Sequence, residues 1–248
     1  MKTSNKILLS GFLVAFVVTL IFMFYIKSNI NEIKGDGQII TETRQVAGFA
    51  GIKIKNRIKV KYIQDSKQKL IVTADNNLME LIKTEVKDDT LNIYTSKNYS
   101  FNDTIIVEIS SNKINFINLS QKSEFKGLNK ISGDTITFNL NSCSKLNADI
   151  NFTCLNCNAI SKSIVNLSGN VETLKLKNNS KSKFSANNLI VKKCFIEAKM
   201  HSKSEVNVSK ELNVEAQGKS KIKYSGNPDL KGIDIKNGAS LIKNKKQE

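Results

Sequence analysis

From residue 38 onward, apolar and polar residues alternate in short runs. "QIITETR" (38–44), "GIKIKN" (51–56), "IKVKYI" (58–63), "LIVTAD" (70–75), "LNIYT" (91–95) and "TIIVEI" (104–109) carry β-branched or aromatic residues at every second place. That period sends successive side chains to opposite faces of an extended strand. One segment breaks it. In "NNLMELIKTEVKDD" (76–89), Leu78, Leu81, Ile82 and Val86 fall at helical spacing, which predicts a short helix or turn. "NEIKGDG" (31–37) reads as a polar linker with turn-forming glycines. Residues 7–26, "ILLSGFLVAFVVTLIFMFYI", contain no charge at all; at about 1.5 Å per residue they reach across roughly 30 Å of hydrocarbon. A signal peptide is the rival reading, with Lys2 and Lys6 as its basic start, but no small-residue cleavage site follows Phe24-Tyr25-Ile26-Lys27. Residues 1–30 are therefore expected to form one uncleaved inner-membrane span, with the rest exported to the periplasm or cell exterior.

A β part (38–120) then gives way to a repeat (121–244) and a short tail (245–248). "ISKSIVNLS" (160–168), "NSKSKFSAN" (179–187), "HSKSEVNVS" (201–209) and "GKSKIKYSG" (218–226) rewrite one phrase. Anchored on Ser123, Ser144, Ser163, Ser182, Ser204, Ser220 and Ser240, the copies lie 21, 19, 19, 22, 16 and 20 residues apart. Two places after each anchor stand Phe125, Leu146, Val165, Phe184, Val206, Ile222 and Ile242, all apolar. The intervening positions are mostly charged. A second strand precedes each serine, as in "INFINL" (114–119), "ITFNL" (136–140) and "LNVEA" (212–216). Short strands recurring every 16 to 22 residues, with the same residue type in the same column, describe an all-β solenoid built from single-stranded coils rather than a sandwich. Each serine shares the parity of the apolar columns, so it faces inward near a corner, where its small hydroxyl can be satisfied.

The net charge is +16, from 38 Lys and Arg against 22 Asp and Glu, and only Arg44 and Arg57 are arginine. With no Trp and so little Arg, nucleic-acid recognition is not expected. Cys154 and Cys157 form a C-x-x-C, but three-residue spacing on a strand points them apart, so neither a metal site nor a local disulfide is expected; with Cys143 and Cys194 they read as buried, unpaired thiols. The Ser-Lys pairs do not make a hydrolase, because adjacent strand residues such as Lys162 and Ser163 face opposite ways. His201 has no partner at a catalytic spacing, Asp88, Asp89 and Asp103 fit turns, and no phosphate loop is present. No cofactor, metal or enzymatic activity is expected.

Immediately before the anchors stand Lys122, Cys143, Lys162, Lys181, Lys203, Lys219 and Ala239. Stacked like charges repel, so the five lysines suggest a stripe for an anionic envelope glycan or lipid; lysine-rich composition and solubility account for them equally simply. Self-association through open coil ends is the alternative role, and the charged "KNKKQE" (243–248) is expected to cap one end against long filaments. A polysaccharide-active enzyme is the third.

"VAGFAGIKIKNRIKVKYIQ" (46–64), "LIVTADNNLMELIKTEVKDDTLNIYT" (70–95) and the serine-anchored coils together resemble the bacterial auto-transporter adhesin, head GIN domain family over nearly all of the exported part. The resemblance implies a right-handed parallel β-helix exported beyond the inner membrane, with an adhesin-like binding role. Arg57 and Asp65 depart from it, standing where turn glycines are expected.

Overall fold

The computed structural model describes residues 3–29, 32–100 and 104–244. An apolar helix, α1 (Thr3–Asn29), leads into β1 (Ile39–Thr43), β2 (Gly51–Ile54), β3 (Lys59–Gln64) and β4 (Lys69–Asp75). One helical turn, α2 (Asn76–Met79), precedes β5 (Ile82–Lys87), β6 (Thr90–Thr95) and β7 (Ile106–Ser111). The chain continues through β8 (Phe116–Leu119), β9 (Glu124–Gly127), β10 (Ile131–Leu140), β11 (Lys145–Ala159), β12 (Ile164–Asn178) and β13 (Lys183–Ala198). It ends with β14 (Lys203–Ala216), β15 (Lys221–Ser225), β16 (Asp229–Ile235) and β17 (Ser240–Lys243).

These strands stack in parallel, coil upon coil. β2 pairs with β8, β8 with β10, and the ladder runs on through β11, β12, β13 and β14 to β16. A second ladder starts at β3 and β9 and finishes with β15 and β17. The result is a β-solenoid of about seven turns. Its first coil is covered by antiparallel strands: β4 pairs with β7 and with β1, and β5 pairs with β6. The segment 76–89 is thus helical only in α2. Its β-branched second half joins β6, where Val86 faces Leu91, and turns at Asp88–Asp89. Hairpin pairing outweighs helical spacing there.

Stacking places like on like. One inward column reads Ile54, Leu119, Leu140, Ala159, Asn178, Ala198, Ala216. The next reads Val60, Phe125, Leu146, Val165, Phe184, Ser204, Ile222. All of these are buried, and each large aliphatic or aromatic side chain contributes about 1.5–3 kcal/mol. The corner at Gly169 admits no side chain, since φ is +105° and a Cβ would lie 2.0 Å from the Ile150 carbonyl oxygen.

The registers correct two anchors. Lys183 pairs with Lys203 and Phe184 with Ser204, so Ser202 is the equivalent of Ser182. Likewise Lys221 pairs with Ser240, leaving Ala239 in the place of Ser220. The structural anchors, Ser123, Ser144, Ser163, Ser182, Ser202, Ser220 and Ala239, lie 21, 19, 19, 20, 18 and 19 residues apart, a tighter period than the one read from sequence. Ser204 occupies the phenylalanine column instead. It is tolerated because the Asn178 side-chain NH₂ donates to its Oγ at 2.8 Å and to the Lys203 carbonyl oxygen at 2.8 Å.

Candidate functional site

Every coil turns one corner in the same way. Two consecutive residues take positive φ between 50° and 74°: Asn56–Arg57 (both 62°), Gln121–Lys122, Ser142–Cys143, Ser161–Lys162, Ser180–Lys181, Met200–His201, Gly218–Lys219 and Asn237–Gly238. Two successive left-handed residues make a type I′ turn. For residues other than glycine that conformation costs roughly 1–2 kcal/mol each. A ladder between coils offsets it, since the second turn residue donates its N–H to the first turn residue of the next coil. The bonds run from Arg57 to Gln121, Lys122 to Ser142, Cys143 to Ser161, Lys162 to Ser180, Lys181 to Met200, His201 to Gly218 and Lys219 to Asn237, all 2.8–3.1 Å. The Arg57 turn keeps this geometry without glycine, and the Asp65 carboxylate supports its own bend by accepting from Ser66 Oγ.

The buried serine that follows closes the turn. Its hydroxyl donates to a carbonyl of the preceding coil: Ser123 to Ile54 (3.2 Å), Ser144 to Leu119 (3.1 Å), Ser182 to Ala159 (2.8 Å) and Ser220 to Ala198 (3.0 Å). Ser163 donates to Ile160 across its own turn at 2.6 Å. Ser202 is buried, and its hydroxyl has no hydrogen-bond partner among the described residues.

The outward column on this ridge is therefore Arg57, Lys122, Cys143, Lys162, Lys181, His201, Lys219 and Gly238. Lys203 is not in it. Lys203 stacks between Lys183 and Lys221, in the neighbouring outward column that begins Lys59, Glu124, Lys145 and Ile164, where Lys145 and Glu124 form an ion pair. Four of the five lysines singled out from sequence share one column, and the fifth belongs to a second outward column two residues further on, past the inward serine. The two run side by side. Among the described residues, Lys162, Lys181, Lys183, Lys203, Lys219 and Lys221 make no ion pair. Elsewhere lysines meet acids, across coils in Lys177–Glu197, Lys192–Glu172 and Lys231–Glu211, and within one coil in Lys199–Glu197 and Lys236–Asp234. The hydrogen bond from Lys199 holds the Glu197 carboxyl below its ordinary range, with lesser help from the Lys199 and Lys177 charges.

Shallow concavities border the ridge. One of about 470 Å³ lies between Cys143, Lys162, Lys181 and His201. Another of about 430 Å³ opens at the first coils beside Arg57, Thr95, Tyr99 and Lys122. There the Arg57 guanidinium stands 4.6 Å over the Tyr99 ring and donates to the Tyr99 carbonyl, and Tyr99 Oη donates to the Asn56 carbonyl at 2.7 Å.

The cysteines do not converge. Cys157 and Cys194 are buried, and burial pushes the Cys157 thiol up to about 12 and Cys194 higher still. Cys154 is half-buried, and Cys143, expected inside, is exposed on the ridge because it fills a turn position rather than a strand position. No group of three or more metal-ligating side chains occurs among the described residues.

The family pattern described as "Putative auto-transporter adhesin, head GIN domain" matches residues 48–228. Among solved structures, a "putative adhesin" from Bacteroides fragilis superposes with a TM-score of 0.80 at 20% identity, covering 85% of this chain and 99% of that one. A "putative adhesin" from Parabacteroides merdae gives 0.69 at 18%, covering 87% and 100%. A "putative lipid binding protein" from Parabacteroides distasonis gives 0.69 at 19%, covering 87% and 100%. No curated protein matches. At such identities the likeness is one of fold.

Proposed function

Because this chain belongs to the auto-transporter adhesin, head GIN domain family, we propose that its solenoid is a non-catalytic binding module whose lysine ridge takes anionic polymers or lipid head groups of the cell envelope. One observation carries the reading: six lysines of two adjacent columns follow one another along a single ridge without an ion pair among the described residues, whereas Lys177, Lys192, Lys199, Lys231 and Lys236 on other faces each meet an acid. Strands stack about 4.8 Å apart, so these charges lie well within a Debye length of one another. Sheet stability gains nothing from that arrangement. A ligand carrying repeated negative charge relieves it. The Parabacteroides distasonis neighbour is named for lipid binding, which is compatible with the same ridge, since a phosphate head group offers the same charge. Helix α1 would hold the ridge close to a membrane.

The test uses the full-length chain in neutral-lipid nanodiscs, titrated with polyphosphate, with vesicles of anionic lipid and with neutral dextran. Wild type binds the first two and not dextran. Changing Lys162, Lys181, Lys183, Lys203, Lys219 and Lys221 to Gln weakens binding by at least about tenfold. Unchanged binding in the variant contradicts the proposal.

A further inference from the structure

The last coil leaves an open edge. Among the described residues, β16 pairs with β14 on one side and with no strand on the other. Leu212 and Val214 of β14 are fully buried, whereas Leu230 and Ile233, stacked on them, stay 48% and 40% exposed. Residues 245–248, the greater part of the charged tail expected to cap this end, lie outside the described residues. An unpaired edge beside exposed apolar side chains is a template for another strand.

Residues 229–236 read Asp-Leu-Lys-Gly-Ile-Asp-Ile-Lys. We propose that this segment pairs antiparallel with the same segment of a second copy, about a twofold axis between Gly232 and Ile233. In that register Asp229 of one copy meets Lys236 of the other, Leu230 meets Ile235, Lys231 meets Asp234, and Gly232 meets Ile233. Symmetry makes each contact twice, as in any isologous interface. Every charge meets its opposite, and such directly opposed pairs favour pairing.

The faces agree as well. Leu230 and Ile235 are five residues apart and would point to opposite sides of a regular strand. The register shift between Lys231 and Ile233, where Gly232 is the extra residue at φ +55°, brings both to the inward face, over Leu212 and Ala216. Asp229, Lys231, Asp234 and Lys236 are thereby outward together. Charge order and bulge position are separate features of the sequence, and both suit the same register. The cap strand β5 at the other end also has an open edge, but its Ile82 is already buried, so pairing there hides little apolar surface. The twofold pair is one continuous solenoid with an α1 at each far end, and its two ridges run along a doubled length. This inference does not depend on what the ridge binds.

Sedimentation of full-length protein, one copy per nanodisc, tests it at up to about 100 μM, a range that detects weak pairing. Wild type forms pairs. Lys231→Asp or Asp234→Lys alone sets like charges opposite each other and weakens pairing by at least about tenfold. An equimolar mixture of the two variants pairs again, because each then supplies the charge the other lacks, and the double variant Lys231→Asp/Asp234→Lys pairs with itself. Wild type that stays single over this range, single variants that pair as well as wild type, or a double variant that fails to recover overturns the proposal.

Discussion

Ser163 and Ser202 stand at the same place in their coils and contribute differently. Ser163 Oγ donates to Ile160, while the Ser202 hydroxyl is buried with no partner among the described residues. Ser163→Ala is expected to lose about 1 kcal/mol, and Ser202→Ala to be neutral or slightly stabilising, because it removes an unsatisfied hydroxyl. Urea unfolding midpoints check this, and the reverse order contradicts it. The cysteines divide just as sharply. Desolvation holds Cys157 at about 12 and Cys194 higher, so both stay thiols at pH 8, where an unfolded thiol near 8.5 begins to ionise. Iodoacetamide at that pH should label Cys143 in the native protein and reach Cys157 and Cys194 only on unfolding, as peptide mass mapping would show. Raising the pH from about 9 towards 12 ionises these thiols only in the unfolded chain, so their contribution to stability falls across that window. Inward serines were legible from parity alone. The exposure of Cys143 was not, because a strand rule was applied to a residue that sits in a turn.

At the scale of coils and strands, the repeat was legible and its register only partly so. The Ser-Lys-Ser phrase at 202–204 aligns Ser204 with Ser163, the second serine of 161–163. The structural register instead buries Ser204 among Phe184 and Ile222. Sequence gave no reason to accept a serine there, since the partner that satisfies it, Asn178, lies a coil earlier. The network makes a direct prediction. Asn178→Ala strands the Ser204 hydroxyl, removes the side-chain contact to the Lys203 carbonyl and should cost about 1–3 kcal/mol, and Ser204→Val leaves one Asn178 N–H unpaired at similar cost. The double variant should cost clearly less than the sum, because it removes both ends of one interaction. A denaturation cycle giving simple additivity would contradict the register. The same locality explains the segment 76–89, where helical spacing was visible but the pairing of β5 with β6 was decided by Leu91 and Ile93 beyond it.

Over the whole molecule, the charge of +16 says only that lysine is abundant. The fold sorts it. Lysines facing Glu172, Glu197, Glu211 and Asp234 are matched, while a run of unmatched ones follows the stacked turns from coil to coil. That sorting was illegible in sequence, because pairs such as Lys177–Glu197, Lys192–Glu172 and Lys231–Glu211 join residues one coil apart and depend on the stacking register. Family and fold were legible from the segments around residues 46–95 and from the repeat, whereas relatives at 18–20% identity carry the fold without fixing a ligand. The central claim is that position on the ridge, rather than net charge, governs binding. It is tested by the salt dependence of polyphosphate binding for three full-length proteins: wild type, the six-lysine ridge variant, and a control with Lys61, Lys130, Lys177, Lys192, Lys199 and Lys223 changed to Gln. The two variants lose the same charge. The account predicts that the control keeps wild-type affinity within about threefold and the same salt slope, while the ridge variant loses most of both. Equal losses in the two variants would contradict it and return the ridge to a matter of composition.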